Sequence, residues 1–291
     1  QTKRNLVLGF AAGAFLATVL VLVLEVLDDR VKRPQDIEEG LGMTLLGIVP
    51  KAEKLREERK MATLELASNK RGLVKKTEEY FNAIRTNIQL SGSELKVIGI
   101  TSAESNEGKS TTAASLAIAY ARSGYKTILL DADIRNSVMS GFFKPATKIT
   151  GLTDYLAGTT DLSQGLCDTD VPNLTVIESG KASPNPTALL QSKNFDNLIT
   201  TLRRYFDYVI VDCAPLGLVI DAAIIAQKCD GMAVVAEAGR VKRSGVKKVA
   251  EQLEQTGTPF LGVILNKYDV ATEKYGAYGN YGNYGNYGKK A

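Results

Sequence analysis

Histidine and tryptophan are both absent from the 291 residues, and cysteine occurs only three times. Without histidine the chain lacks the usual general base and metal ligand of neutral pH, so any catalysis must depend on carboxylates, lysine and bound ions. Cys167, Cys213 and Cys229 are odd in number and show no metal-binding spacing, so we expect three reduced thiols. A net charge of +4 is too small to indicate a nucleic-acid partner, and we expect none.

Charge is also absent from a long run near the amino terminus, Asn5 to Leu24. Twenty helical residues span about 30 Å, the hydrocarbon thickness of a bilayer, so this run predicts a transmembrane helix within residues 1–30. A buried core helix or a signal peptide is the alternative, but the run has no polar face and no small-residue cleavage site follows it. Arg30, Lys32 and Arg33 follow the run, which favours a cytoplasmic location for the rest of the chain at the cell membrane.

Continuous apolar segments alternate with helical patterns over most of the remaining chain. Such segments are typical of strands buried on both faces of a parallel sheet. The predicted strands are Lys96–Thr101, Thr127–Asp131, Leu174–Ile177, Tyr208–Asp212, Met232–Ala236 and Phe260–Leu265. This order predicts an α/β fold, a doubly wound and mostly parallel sheet that binds ligands at the carboxyl ends of its strands.

A phosphate-binding loop follows the first of these strands. Its residues are Ala103, Glu104, Ser105, Asn106, Glu107, Gly108, Lys109, Ser110 and Thr111. The motif matches a P-loop with alanine in place of the first glycine, and it has the required context of strand, loop and helix. Backbone N–H groups would surround the β-phosphate, Lys109 would reach the β- and γ-phosphates, and the Ser110 hydroxyl would hold Mg²⁺. We therefore expect ATP and Mg²⁺ as cofactors.

Carboxylates end two further strands. Asp131 and Asp133 follow one strand, and Asp212 ends another. A single aspartate at a strand end often caps a helix or forms a turn, and this is the alternative for Asp133. Three carboxylates at the edge that carries the P-loop would repel one another without a cation among them. Asp212 therefore has the position of a Mg²⁺ ligand.

The segment Asn266-Lys267-Tyr268-Asp269 follows the last strand and resembles the guanine-selecting NKxD motif. A GTPase is therefore an alternative, although the DxxG switch motif expected after Asp212 is replaced by Asp-Cys-Ala-Pro. In related ATPases an asparagine after the last strand contacts adenine, and Asn266 fits that role.

The carboxyl terminus is a low-complexity segment of glycine and tyrosine that cannot build a core, so we expect residues 271–291 to be disordered. It could stack on itself or on RNA bases, or it could offer phenol hydroxyls as phosphate acceptors. The five tyrosines are Tyr275, Tyr278, Tyr281, Tyr284 and Tyr287.

Together the P-loop, the segments ILLDADIR and VIVDCAP and this tail resemble the bacterial tyrosine kinases of capsular polysaccharide biosynthesis, in their Gram-positive form. The resemblance covers Met61 to Ala291, and residues 1–60 resemble the last membrane helix and cytoplasmic tail of the kinase's transmembrane adaptor. It implies four parts: the membrane helix (1–30), an adaptor tail (31–60), the kinase domain (61–270) and the autophosphorylated tail (271–291). The chain would then join two polypeptides end to end.

The resemblance also implies roles for individual residues. Asp131 would be the base near the acceptor tyrosine, Asp133 and Asp212 would manage Mg²⁺, and Lys109 would serve catalysis. The family's oligomerisation pattern E-x-x-R-x-x-R retains Glu79 and Arg85 here, with asparagine at the middle position. Implied partners are the adaptor, further copies in a homo-oligomer such as a ring, and a protein-tyrosine phosphatase.

Partitioning ATPases of the ParA and MinD type are the nearest alternative, and a scaffold gated by nucleotide is another. The ParA and MinD proteins carry a signature lysine five residues before the P-loop lysine. Glu104 occupies that position here, which together with the tail favours the kinase.

Overall fold

The computed structural model describes residues 2–51, 73–92, 94–139, 142–143 and 150–269. The strands that it contains are Leu45–Pro50 (β1), Val97–Ser102 (β2), Thr127–Asp131 (β3), Cys167–Asp168 (β4), Leu174–Ile177 (β5), Tyr208–Asp212 (β6), Gly231–Glu237 (β7) and Phe260–Tyr268 (β8). They form one sheet in the order β1-β8-β7-β2-β6-β3-β5-β4. Every pairing is parallel except that of β4 with β5. The predicted parallel α/β sheet is therefore confirmed.

Helices connect the strands and cover the sheet. The helices in the described part of the chain are Thr2–Val26 (α1), Pro34–Glu38 (α2), Leu73–Leu90 (α3), Lys109–Arg122 (α4), Leu152–Leu156 (α5), Leu162–Gly165 (α6), Pro186–Leu190 (α7), Lys193–Tyr205 (α8), Asp221–Ala226 (α9) and Arg243–Gln255 (α10). Two apolar clusters form the core, one on each face of the sheet. The central strand β2 is buried along its whole length, as its uninterrupted apolar sequence predicts.

Strand register brings the predicted carboxylates together. Asp131 pairs with Asp212 across β3 and β6, and Ile100 of β2 pairs with Asp212 on the other side. The P-loop begins three residues beyond Ile100, at Ala103. Since β2, β3 and β6 are parallel neighbours, their carboxyl ends meet at one edge of the sheet, as the sequence predicts.

Residues 28–51 dock along one side of this domain. The Val31 N–H donates to the Val241 carbonyl at 2.9 Å, and the Gly239 N–H donates to the Val31 carbonyl at 2.8 Å. The Asp36 carboxylate accepts from Arg243 at 2.6 Å. Beyond this point β1, Leu45–Pro50, adds to β8 as a parallel edge strand and buries Leu46 completely.

The amino-terminal helix α1 covers residues 2–26. In the described residues, however, no helix combines the length and the apolar character that crossing a membrane requires. The predicted transmembrane span is therefore not supported. The tail, 271–291, and the junction around Met61 lie outside the described residues.

Candidate active site

The P-loop connects β2 to the first turn of α4. Asn106 and Gly108 adopt left-handed backbone conformations, with φ of 66° and 92°. A Cβ atom on Gly108 would lie 2.1 Å from the Asn266 side-chain nitrogen, so this position needs glycine. Helix α4 begins directly afterwards at Lys109, and its positive dipole end therefore faces the loop.

Lys109 lies at the centre of the carboxylate group. Its Nζ is 2.7 Å from Asp133 Oδ2 and 3.6 Å from Asp212 Oδ1, and it reaches the Ser110 hydroxyl at 3.3 Å. The Lys109 side chain is buried. Burial alone would lower the pKa of Lys109, but the carboxylates of Asp212 and Asp133 outweigh burial and raise it, so the amine stays charged.

Asp131 is fully buried at the end of β3. Its carboxylate accepts hydrogen bonds from the Ser137 hydroxyl and, at 3.3 Å, from the Asp133 N–H. Burial, reinforced by the negative charge of Asp212, raises the pKa of Asp131 to about 7. Ser137 was missed by the sequence reasoning, because a serine six residues after an aspartate carries no recognisable signal.

Asp212 and Ser110 suit a magnesium ion. Asp212 Oδ1 is buried without a hydrogen-bond partner, which is costly unless a ligand completes it. Burial raises the pKa of Asp212 despite Lys109 and the Ser110 hydroxyl. In the described chain no group of three acidic, histidine or cysteine side chains could hold a metal by itself. Mg²⁺ typically takes one or two carboxylates together with water and phosphate oxygens, and Asp212 with Ser110 fits this pattern.

Glu107 is a second residue that the sequence reasoning left without a role beyond its place in the motif. It is fully buried, and its carboxylate accepts from the Glu104 N–H at 2.8 Å and from the Glu237 N–H at 3.4 Å. Burial raises its pKa to about 7, although these backbone donors partly oppose the shift. The side chain thus joins the P-loop to the end of β7.

The other predicted residues lie as follows. Asn266 is buried at the end of β8, and its amide donates to the Glu107 carbonyl at 2.8 Å. Its contact with adenine stays a prediction. On α3, Glu79 is exposed and the half-buried Arg85 donates to Gln89 at 2.9 Å. Their role in oligomerisation also stays a prediction. The five tail tyrosines are outside the described residues, and the three cysteines are free thiols.

Comparison with known proteins first defines the class. A family model described as an AAA domain matches residues 95–259, the part that contains the P-loop and the aspartates. A solved structure of the septum site-determining protein MinD of Pyrococcus horikoshii, complexed with Mg-ADP, has a TM-score of 0.52 at 26% identity. That match covers 60% of this chain and 70% of the other. The fold is therefore that of the P-loop proteins of the AAA and MinD type.

Closer matches define the family. Tyrosine-protein kinase CpsD of Streptococcus pneumoniae is 62% identical over 216 residues, covering 74% of this chain and 95% of that protein. The kinase domain of the Escherichia coli tyrosine kinase ETK matches with a TM-score of 0.73 and 27% identity, over 85% and 99% of the chains. The chimerical protein CapA2B2 matches with a TM-score of 0.72 and 31% identity, over 81% and 100%. The chain belongs to the bacterial tyrosine-protein kinases.

One further relative extends over the amino-terminal residues as well. Tyrosine-protein kinase ptk of Acinetobacter johnsonii is 31% identical over 277 residues, which is 93% of this chain and 37% of that protein. Its alignment is too long to fit within residues 61–291, so the similarity is not limited to the P-loop domain.

The buried Glu107 predicts a measurable dependence of stability on pH. Between about pH 4.5 and 7 the folded chain holds a proton that the unfolded chain has lost, so this group makes stability fall as pH rises. Between pH 5 and 8, wild type should lose on the order of 2 kcal/mol more unfolding free energy than Glu107→Gln. Denaturant unfolding at both pH values measures the difference. The exposed Glu254→Gln is the control and should behave like wild type. Equal slopes for Glu107→Gln and wild type would contradict the prediction.

Proposed function

We propose that the chain is an ATP-dependent protein-tyrosine autokinase that phosphorylates its own carboxyl-terminal tyrosines and regulates capsular or exopolysaccharide synthesis and export. The observation that carries the proposal is the buried group of Lys109, Asp131, Asp133 and Asp212 beside a P-loop, in a member of the tyrosine-protein kinases. The names and titles of its relatives support the kinase activity, and the polysaccharide context follows from the resemblance of its motifs.

Nucleotide phosphates would be held by the backbone N–H groups of the P-loop and by Lys109. The Lys109 amine is now engaged by Asp133, so bound phosphate would compete with this carboxylate for its hydrogen bonds. Mg²⁺, held by Ser110 and Asp212 with Asp133 close by, would neutralise charge on the phosphate oxygens. Phosphoryl transfer depends on such neutralisation and on alignment more than on a strong base.

Asp131 would receive the proton of the acceptor phenol. The Ser137 hydroxyl now donates to this carboxylate, so it occupies the position that a tyrosine hydroxyl would take, and it would have to yield that position. With a pKa of about 7, Asp131 accepts a proton less readily below neutral pH, since the protonated acid cannot act as a base.

An ATPase of the partitioning type, or a scaffold gated by nucleotide, is the second candidate, favoured by the structural likeness to MinD. An observation against this candidate is that Glu104 takes the place of the signature lysine, and its carboxylate lies 4.0 Å from Arg240. Incubation with radioactive ATP separates the candidates, because an ATPase or a scaffold releases phosphate without labelling tyrosine.

The site residues can be tested with two variants. Lys109→Met removes the phosphate-binding charge and Asp131→Asn removes the base at nearly constant shape, so each should slow autophosphorylation at least about a hundredfold. Anti-phosphotyrosine detection after incubation with Mg-ATP measures the rate, and circular dichroism checks that each variant is folded. Lys248→Met, which removes an exposed lysine, is the control. Wild-type rates in either site variant would refute the assignment.

We further infer that residues 28–51 act as an adaptor segment that activates the kinase domain from within the same chain. These residues add β1 to the sheet beside β8, the strand that carries Asn266 to the P-loop. The match to the tyrosine-protein kinase ptk of Acinetobacter johnsonii over 277 residues supports the presence of such an amino-terminal segment and the kinase domain in one chain.

Asp36→Ala should test this activation. Asp36 accepts from the backbone N–H groups of Lys32 and Arg33 and from Arg243, so its loss should loosen the docked segment. Autophosphorylation should become about threefold slower or more, because fewer molecules hold the competent arrangement. Glu39→Ala, which removes an exposed carboxylate nearby, should keep the wild-type rate. Equal rates for wild type, Asp36→Ala and Glu39→Ala would contradict activation by the docked segment.

Phosphorylation between subunits is the last part of the proposal, with Glu79 and Arg85 holding a homo-oligomer such as a ring. If the seventeen residues 275–291 behave as the flexible chain that their sequence predicts, they would reach roughly 20–25 Å, enough to enter a neighbouring site. Five phosphotyrosines would add about −8 to −10 charges, which the buried aspartates would repel. Full phosphorylation should therefore dissociate the oligomer, and a protein-tyrosine phosphatase would be required to restore it.

Mixing two complementary proteins, neither of which can label its own tail, tests transfer in trans. Lys109→Met protein keeps the tail but lacks activity, and a version without residues 275–291 keeps the site but lacks acceptors. Together with Mg-ATP they should produce phosphotyrosine on the Lys109→Met chain, which mass spectrometry would locate. Absence of labelling, while wild type labels itself under the same conditions, would contradict the trans mechanism.

A further inference from the structure

Three consecutive carbonyl groups of the P-loop are held by side chains from outside the loop. Arg240 donates to the Ser105 carbonyl at 3.2 Å, and Lys267 Nζ donates to the Asn106 carbonyl at 3.0 Å. Asn266 donates to the Glu107 carbonyl at 2.8 Å. We call Arg240, Asn266 and Lys267 the carbonyl clamp.

Within this clamp, Lys267 makes a further contact besides its bond to the loop and has an unusual backbone conformation. Its Nζ also lies 2.5 Å from Glu237 Oε2, a carboxylate that in turn accepts from Arg240 at 3.3 Å. Its backbone has a φ of 56°, a left-handed conformation that non-glycine residues seldom adopt. The surrounding contacts therefore hold this residue in an unfavourable backbone conformation, which is frequent at functional sites.

The clamp has a direct consequence for anion binding. A P-loop binds phosphate through successive N–H groups that point into one concavity, and carbonyl oxygens that turned into it would repel the phosphate oxygens. Hydrogen bonds from outside the loop keep the three carbonyls engaged away from that concavity. The clamp thus prepares the loop before a nucleotide arrives, so less conformational freedom is lost on binding.

The clamp also lies where residues 28–51 dock. Gly239, next to Arg240, donates its N–H to the Val31 carbonyl at 2.8 Å. On β8, Asn266 pairs with Val49, and the Tyr268 carbonyl accepts from the Lys51 N–H at 2.8 Å. Each residue of the clamp is therefore next to a backbone contact with the docked segment.

We propose that Lys267 is a positioning residue for the nucleotide phosphates and that the carbonyl clamp couples docking of residues 28–51 to nucleotide affinity. The proposal rests on the proposed nucleotide-binding function and assigns its regulation to particular contacts. A lysine that only stabilised the fold would affect unfolding without this selective effect on phosphate binding.

The first experiment uses the full chain and Mg-ADP, whose binding is measured by titration calorimetry. Lys267→Met should weaken ADP binding about tenfold, because the loop would then hold its binding-competent conformation in only about a tenth of the molecules. Lys267→Arg keeps a charged donor and should recover part of the affinity, and the exposed Lys248→Met is the matched control. Autophosphorylation by Lys267→Met should show a raised KM for ATP with kcat within about twofold.

The second experiment measures coupling. Asp36→Ala should weaken ADP binding in the wild-type background and have little further effect in the Lys267→Met background, since the path of coupling is already broken. Additive losses would overturn the coupling, and wild-type ADP affinity in Lys267→Met would overturn the positioning role. A lowered melting temperature of ligand-free Lys267→Met with unchanged ADP affinity would also overturn it.

ADP binding requires no kinase activity, so the two proposals fail separately. If wild type binds Mg-ADP with the expected clamp dependence but never labels tyrosine, the autokinase proposal fails and the clamp stands. If wild type labels tyrosine and Lys267→Met binds ADP normally, the clamp fails and the autokinase stands.

Discussion

The ion pairing of Lys109 with the buried aspartates is the interaction on which the site depends. Asp131, Asp133 and Asp212 are all nearly inaccessible to solvent, and charged groups in such surroundings are costly unless they are paired. Lys109 bonds to Asp133 directly and lies 3.6 Å from Asp212, while Asp131 is held by Ser137 and has a pKa of about 7. Charge is thus balanced incompletely, and Asp212 Oδ1 has an ion-pair neighbour in Lys109 but no hydrogen-bond partner.

Under the proposed function, this incomplete balance would allow the site to take up a cation and nucleotide phosphates. A cation that joins Asp212 and Ser110 would supply the missing positive charge, and phosphate would then compete with Asp133 for Lys109. The buried charges destabilise the folded state, and the same charged groups are the ones that phosphoryl transfer requires. Stability is therefore given up locally at the sheet edge where β2, β3 and β6 end.

The amino-terminal residues extend the same sheet from its far side. Through β1 they contact β8, and through Val31 they contact the turn after β7, so two elements that touch the P-loop are covered by one segment. Sheet extension uses backbone hydrogen bonds, which need no particular side chains. Specificity comes instead from contacts such as Asp36 with Arg243 and from the complete burial of Leu46.

Much of this could be predicted from local patterns. Continuous apolar runs predicted six of the strands, and the P-loop motif predicted that a helix, α4, follows the loop. Aspartates at strand ends were expected to converge, because parallel neighbouring strands present their carboxyl ends together, and the register of Asp131 with Asp212 confirms this. The two-residue strand β4 was missed, since so short an antiparallel edge has no periodicity, and the transmembrane prediction for the apolar run is not supported.

The sequence by itself determined the fold class and the phosphate site, because hydrophobic periodicity and the P-loop motif are local properties of the chain. Only the tertiary structure decided that Ser137 bonds to Asp131, that Glu107 bridges to β7, and that Arg240 and Lys267 hold the P-loop carbonyls. Ser137 depends on the fold of the loop after β3. The other contacts join residues 130 or more positions apart, so no local pattern encodes them, and they exist because strands β2, β7 and β8 are adjacent in the sheet.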